Sequence, residues 1–238
     1  MLKWSIFIKL SADKFNYIAF YLKGMGVNLV PTLRNFRIIE KEFQTKDVDP
    51  NADGSIEDGC IAPGLHKVLR FDIYCHNKGN TDFVIGNPAS LPDIFEPGHP
   101  RTHEWIMKEK FYVYILSNKE GKRFLGYKRP WCLADFNNYN CRKQGIGVNQ
   151  SDHYHRDLPC QFIIIDEIQD GTYTLTAIAN APSVIAHKKN SEKILFEEDN
   201  YEDNCINVNI KIKGNDEPRI IGQMEWICKE DIFSYIQI

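Results

Sequence analysis

The first residues whose spacing could do chemistry are histidines. His99 and His103 form an H-x3-H pair, and His153 and His155 flank Tyr154 as H-x-H. Neutral imidazoles at such intervals suit copper or zinc, provided the two loops that carry them meet. The plainer alternative is that loop histidines face water. A second pattern, Asp49, Asn51, Asp53 and Gly54, is like the first part of a calcium loop, where short oxygen donors at alternate positions wrap a hard cation. Its twelfth position needs a bidentate Glu and holds Cys60, so an acidic surface turn is the plainer reading here too. No spacing of Ser, Cys, His and Asp marks a nucleophile elbow or an activated thiol.

These residues must be positioned by strands. Alternating and β-branched runs dominate and predict strands over residues 68–74, 111–116, 161–165, 172–178, 205–212 and 232–238. In the fourth, Tyr173, Leu175 and Ala177 alternate with Thr172, Thr174 and Thr176, as one buried and one wet face require. Turn signals separate the runs, and a helix is supported only weakly, within residues 12–22. Residues 88–101 and 137–159 lack periodicity, and they or their flanks carry the four histidines named above. Loops on a rigid scaffold are where sites tend to form. The run FEEDNYEDNC reads as a solvated turn. The expectation is a mainly β chain with a sandwich-like core and long loops.

Composition narrows the classes. Hydrophobic residues at 43% supply an ordinary core, which excludes a disordered chain. A formal charge of -3 with scattered Lys and Arg gives no footprint for nucleic acid. No run reaches the ~18 apolar residues that span a bilayer. Lysines at 3, 9, 14 and 23 break the apolar start, so it reads as an arm rather than a signal peptide. That arm could pack on its own domain, a partner or a membrane surface. Seven cysteines without regular spacing predict mostly free, buried thiols with one or two bridges, which favours a reducing compartment or a virus particle over secretion.

Three segments then carry a resemblance: GCIAPGLHKVLRFDIYCHNKGNTDFVIGNP, GYKRPWCLAD and CRKQGIGVNQSDHYHRDLPCQFIIIDEIQDGTYTLTAIANAP. In that order they resemble the lysyl oxidase family, over about residues 28 to 213. Residues 1–27 and 214–238 fall outside it, as an arm and a C-terminal β extension. The resemblance implies a copper amine oxidase scaffold whose quinone, lysine tyrosylquinone, forms from a lysine and a tyrosine. By position Lys128 and Tyr154 match that pair. Alternatively they persist because they pack, since a Lys stem covers apolar surface and a buried Tyr hydroxyl finds an acceptor.

The family also implies alternate histidines on a metal strand. In GHPRTHEWIMKEKFYVYIL those places hold Thr102, Glu104 and Ile106, and a shift of one brings in only His103, followed by Trp105. Cys132, Cys141 and Cys160 fall on family cysteine positions, but two implied partners are Arg101 and Gln150, leaving a Cys132–Cys141 bridge conceivable. The resulting expectation is a non-catalytic structural or protein-interaction module without cofactor. It would meet other chains through its arm and C-terminal extension. Lys outnumbers Arg about two to one, and Asn and Ile are frequent, which points to an AT-rich genome and a minor capsid protein of a large DNA virus. The alternative is an active copper- and quinone-dependent primary amine oxidase in which His99, His103, His153 and His155 supply the ligands.

Overall fold

The computed structural model describes residues 26–189 and 194–229. The arm up to residue 25, the helix expected within 12–22 and the strand expected at 232–238 lie outside them. In chain order the strands are β1 (Leu29–Phe43), β2 (Gly64–Asn77), β3 (Phe83–Gly86), β4 (Phe95–Pro97), β5 (Trp105–Met107), β6 (Tyr112–Ser117) and β7 (Arg123–Lys128). They continue with β8 (Gln144–Ile146), β9 (Ser151–Tyr154), β10 (Phe162–Ile164), β11 (Gly171–Ile178), β12 (Cys205–Ile212), β13 (Arg219–Ile220) and β14 (Glu225–Trp226). One α-helix, α1 (Ala181–Lys188), follows β11. The chain is mainly β, as its periodicity predicts, and the five expected strands among the described residues all form.

Two antiparallel sheets build the core. In the first, β1 pairs one edge of β2, and β9 and β10 pair the other edge in succession. The second runs β13-β12-β11-β6-β7, with β14 beside β13 on β12. Phe71, Ile73 and Cys75 of β2 meet Tyr112, Tyr114, Leu175 and Val208 of the second sheet in one apolar cluster. Each such side chain contributes roughly 1.5–3 kcal/mol on full burial. Gly126 lets β7 lie against β10, since a Cβ there would sit 2.6 Å from the Phe162 carbonyl oxygen.

The alternation read in residues 172–178 holds on the inner face, where Tyr173, Leu175 and Ala177 are buried. Thr176 on the other face is also buried, and its hydroxyl donates to Asn207 Oδ1 at 2.7 Å. The cause is α1: Val184 and Ile185 pack on Val113, Ile115 and Ile178 and cover that face. Pro182 in the first turn, and His187 and Lys188 in the last, are helix-compatible placements. Residues 214–229 continue the second sheet through β13 and β14. None of the described helices is long and apolar enough to cross a membrane.

Candidate functional site

Lys128 ends β7 opposite Tyr112, and Tyr154 ends β9 opposite Ile73, so both project into the space between the sheets. They are 1% and 2% exposed, and Lys128 Nζ lies 5.2 Å from the centre of the Tyr154 ring. The Tyr154 hydroxyl donates to the Cys132 carbonyl at 2.8 Å, and Lys128 Nζ donates to the Pro159 carbonyl. Tyr112 meets Tyr154 edge-on at 5.7 Å. Burial lowers the Lys128 ammonium to about 8, against the pull of Asp58 and Asp152. Burial likewise pushes the Tyr154 hydroxyl and the Asp152 carboxyl well up. Asp152 Oδ2 is buried without a hydrogen-bond partner among the described residues. An amine with a pKa near 8 keeps a neutral fraction at ordinary pH, which a nucleophile needs. The two residues singled out from separate segments therefore share one dry pocket.

The four histidines have other partners. His103 Nε2 lies 3.1 Å from Asp58 Oδ2, and its ring stacks on Trp131 at 4.5 Å. Asp58 also accepts the Thr102 hydroxyl at 2.9 Å. His99 sits in the same turn, where its Nδ1 accepts the Arg101 amide at 3.3 Å. His153 stacks on Tyr74 at 4.1 Å and approaches Asp72 at 3.4 Å, with His155 4.0 Å from the same carboxylate. Among the described residues no three of His, Cys, Asp and Glu form a metal-holding group. His103 is thus held by one carboxylate and His153 and His155 by another, while the His99 ring meets a backbone amide.

The calcium-like loop is also engaged internally. Asp53 Oδ2 pairs with Arg70 at 2.9 Å and Lys41 at 3.2 Å, while Oδ1 accepts the Ser55 amide at 2.9 Å. Burial would raise this carboxyl, but Ser55, Lys41 and Arg70 bring it below its ordinary value. Asp49 Oδ1 accepts the Asn51 amide at 2.9 Å. A cation there would have to displace two resident ones.

A lysyl oxidase family profile matches residues 50–213, well over half of the chain and the stretch that holds Lys128, Tyr154 and their surroundings. The chain belongs to the lysyl oxidase family. Lysyl oxidase homolog 2 of Homo sapiens is 29% identical over 143 residues, 56% of this chain and 18% of that protein. Lysyl oxidase homolog 4 of Homo sapiens is 29% identical over 145 residues, again 56% and 18%. Lysyl oxidase homolog 2 of Mus musculus is 30% identical over 128 residues, 49% and 16%. The chain spans less than a fifth of the length of these relatives.

Within this lysyl oxidase domain the donors do not fit copper. Thr102 is bonded to Asp58, Glu104 is exposed, and Ile106 is buried in the fold. An isoleucine offers no donor, and hydroxyl and carboxylate are poor substitutes for imidazole.

The cysteine expectation fails. Cys60–Cys160, Cys132–Cys141 and Cys205–Cys228 are bridged, and Cys75 alone is free and buried. Only the second bridge was expected. The first forms because residues 44–60 fold over β10, and the third because β14 returns along β12. Neither approach leaves a local signal in sequence.

The FEEDNYEDNC run is a turn with Glu197, Asp199 and Glu202 exposed, as expected, but its other side chains are engaged in the fold. Tyr201 and Asn204 are buried, and Glu198 accepts from Asn180 and Asn204 at 2.7 Å each and from the Leu29 amide at 2.6 Å. Asn28 Nδ2 donates to Asp203 at 3.1 Å. Around this network Asn28 Oδ1, Asn180 Oδ1, Asp203 Oδ1 and Asn204 Oδ1 are buried without partners among the described residues. Burial raises Glu198 from 4.5 to about 8. Its contribution to stability is therefore full below 4.5 and lost as pH rises through about 8. Thermal unfolding should show a midpoint that falls over that window, and Glu198→Gln should flatten the profile. A midpoint that stays level across that window in the parent would show that Glu198 does not carry this dependence.

Proposed function

We propose that this lysyl oxidase domain is non-catalytic and serves as a structural or protein-interaction module. What carries the reading is the use made of the metal-strand positions. Thr102 and His103 are both fastened to Asp58, and Ile106 belongs to the core. The protein's own contacts thus hold the segment that a metal would organise. Incorporation into a virus particle is the finer form of the proposal, and peptides of this chain in purified particles would test it. Three disulfides also favour an oxidising setting over the reducing one expected from the odd cysteine count.

An active copper- and quinone-dependent primary amine oxidase is the second reading, favoured by the 5.2 Å approach of Lys128 Nζ to the Tyr154 ring. Peptide mapping separates the two. The non-catalytic reading expects the Lys128 and Tyr154 peptides to be recovered unlinked from protein expressed with copper, with no quinone stain. A cross-linked peptide would overturn it.

A further inference from the structure

A cavity of about 440 Å³ opens between the 3-10 turn Pro88–Ser90, the entry to β5 and the Cys132–Cys141 loop. Its size falls within the roughly 300–1,000 Å³ of small-molecule sites. The apolar lining is mainly indole, from Trp105 and Trp131. One of these is held rigidly: His103 stacks on Trp131 within 6° of parallel, and His103 is fixed by Asp58, whose side chain is 3% exposed.

Two charges of opposite sign line the same space. The Glu104 carboxylate and the Arg142 guanidinium form no ion pair with each other or with any other described residue. A carboxylate and a guanidinium without ion-pair partners among the described residues, beside indole surface, complement a molecule that carries ammonium, carboxylate and an apolar body. We propose that this cavity binds a free α-amino acid with an apolar side chain. Arg142 takes the carboxylate, because a guanidinium fork matches carboxylate geometry. Glu104 takes the ammonium, and Trp105 packs against the side chain. Neither Lys128 nor Tyr154 takes part, so the site stands whether or not that pair reacts.

The test uses the full chain and three probes of one shape. L-leucine carries both charges, 4-methylpentanoate lacks the ammonium and isopentylamine lacks the carboxylate. Tryptophan fluorescence should change saturably with leucine, and calorimetry should give the same constant. Each analogue should bind about ten-fold or more weakly, since it leaves one charge of the site unmatched. Glu104→Gln should weaken leucine by about that factor without weakening 4-methylpentanoate, and Arg142→Gln should do so without weakening isopentylamine. Both side chains are exposed, so these variants keep the fold. No saturation below about 20 mM leucine, analogues that bind as well as leucine, or variants that bind it like the parent would each overturn the proposal.

Discussion

Replacing Cys60 and Cys160 together by serine is expected to lower the unfolding free energy by about 2–5 kcal/mol. The bridge closes a sequence separation of 100 residues, and long closed loops restrict the unfolded chain most. It also anchors the segment that supplies Asp53 to Arg70 and Asp58 to Thr102 and His103. Cys160 itself lies at φ 60, a left-handed conformation unfavourable for a residue with a Cβ, and its amide donates to Ser55 Oγ at 3.1 Å. Loss of the bridge therefore releases a held conformation as well as a loop. Urea unfolding of the variant, beside the parent with and without reductant, measures the effect. A midpoint equal to the oxidised parent would mean that this bridge contributes nothing. By contrast, Cys132–Cys141 closes a separation of only nine residues and should matter less.

The Lys128–Tyr154 pocket should show the second large effect. Tyr154→Ala removes a fully buried ring from between Tyr112 and Lys128 and is expected to cost about 3–5 kcal/mol through the cavity it leaves. Tyr154→Phe keeps the ring but strips the Cys132 carbonyl of its donor, a loss of about 1–3 kcal/mol. Lys128→Met should behave differently. The folded-state ammonium titrates near 8 against 10.5 when unfolded, so the buried charge penalises the fold below about 8. Stability from this group then rises as pH increases between those values. Methionine fills similar volume with no charge, so the variant should match or exceed the parent at neutral pH and lose that dependence. A Lys128→Met variant much weaker than the parent at pH 7 would show that the Pro159 contact outweighs desolvation.

Much of the fold was legible because strands with a steady period of two report themselves locally. Residues 205–212 form β12 with the expected limits, and the inner face of β11 is the one its alternation marks. The longest strand was not legible. In β1 the buried positions Leu29, Pro31 and Leu33 change phase to Phe36 and Ile38, across a register shift between Arg34 and Arg37. A bulge of that kind, here with Asn35 at φ 54, erases the period on which a strand is recognised. The helix α1 was missed for a related reason, being buried along six consecutive residues and so lacking a polar face to alternate with.

The sequence alone determined the β class, the family motifs and the identities of Lys128 and Tyr154, all of which are written in short contiguous segments. Whether those two residues meet depends on β7 and β9, from different sheets, ending side by side over a shared core. Which cysteines bridge, which carboxylates hold His103, His153 and His155 and what surrounds Glu198 were decided only by tertiary structure. Those choices rest on contacts between distant parts of the chain, such as His103 with Asp58 and Glu198 with Leu29. Local periodicity carries no information on such contacts; sheet packing and loop closure set them.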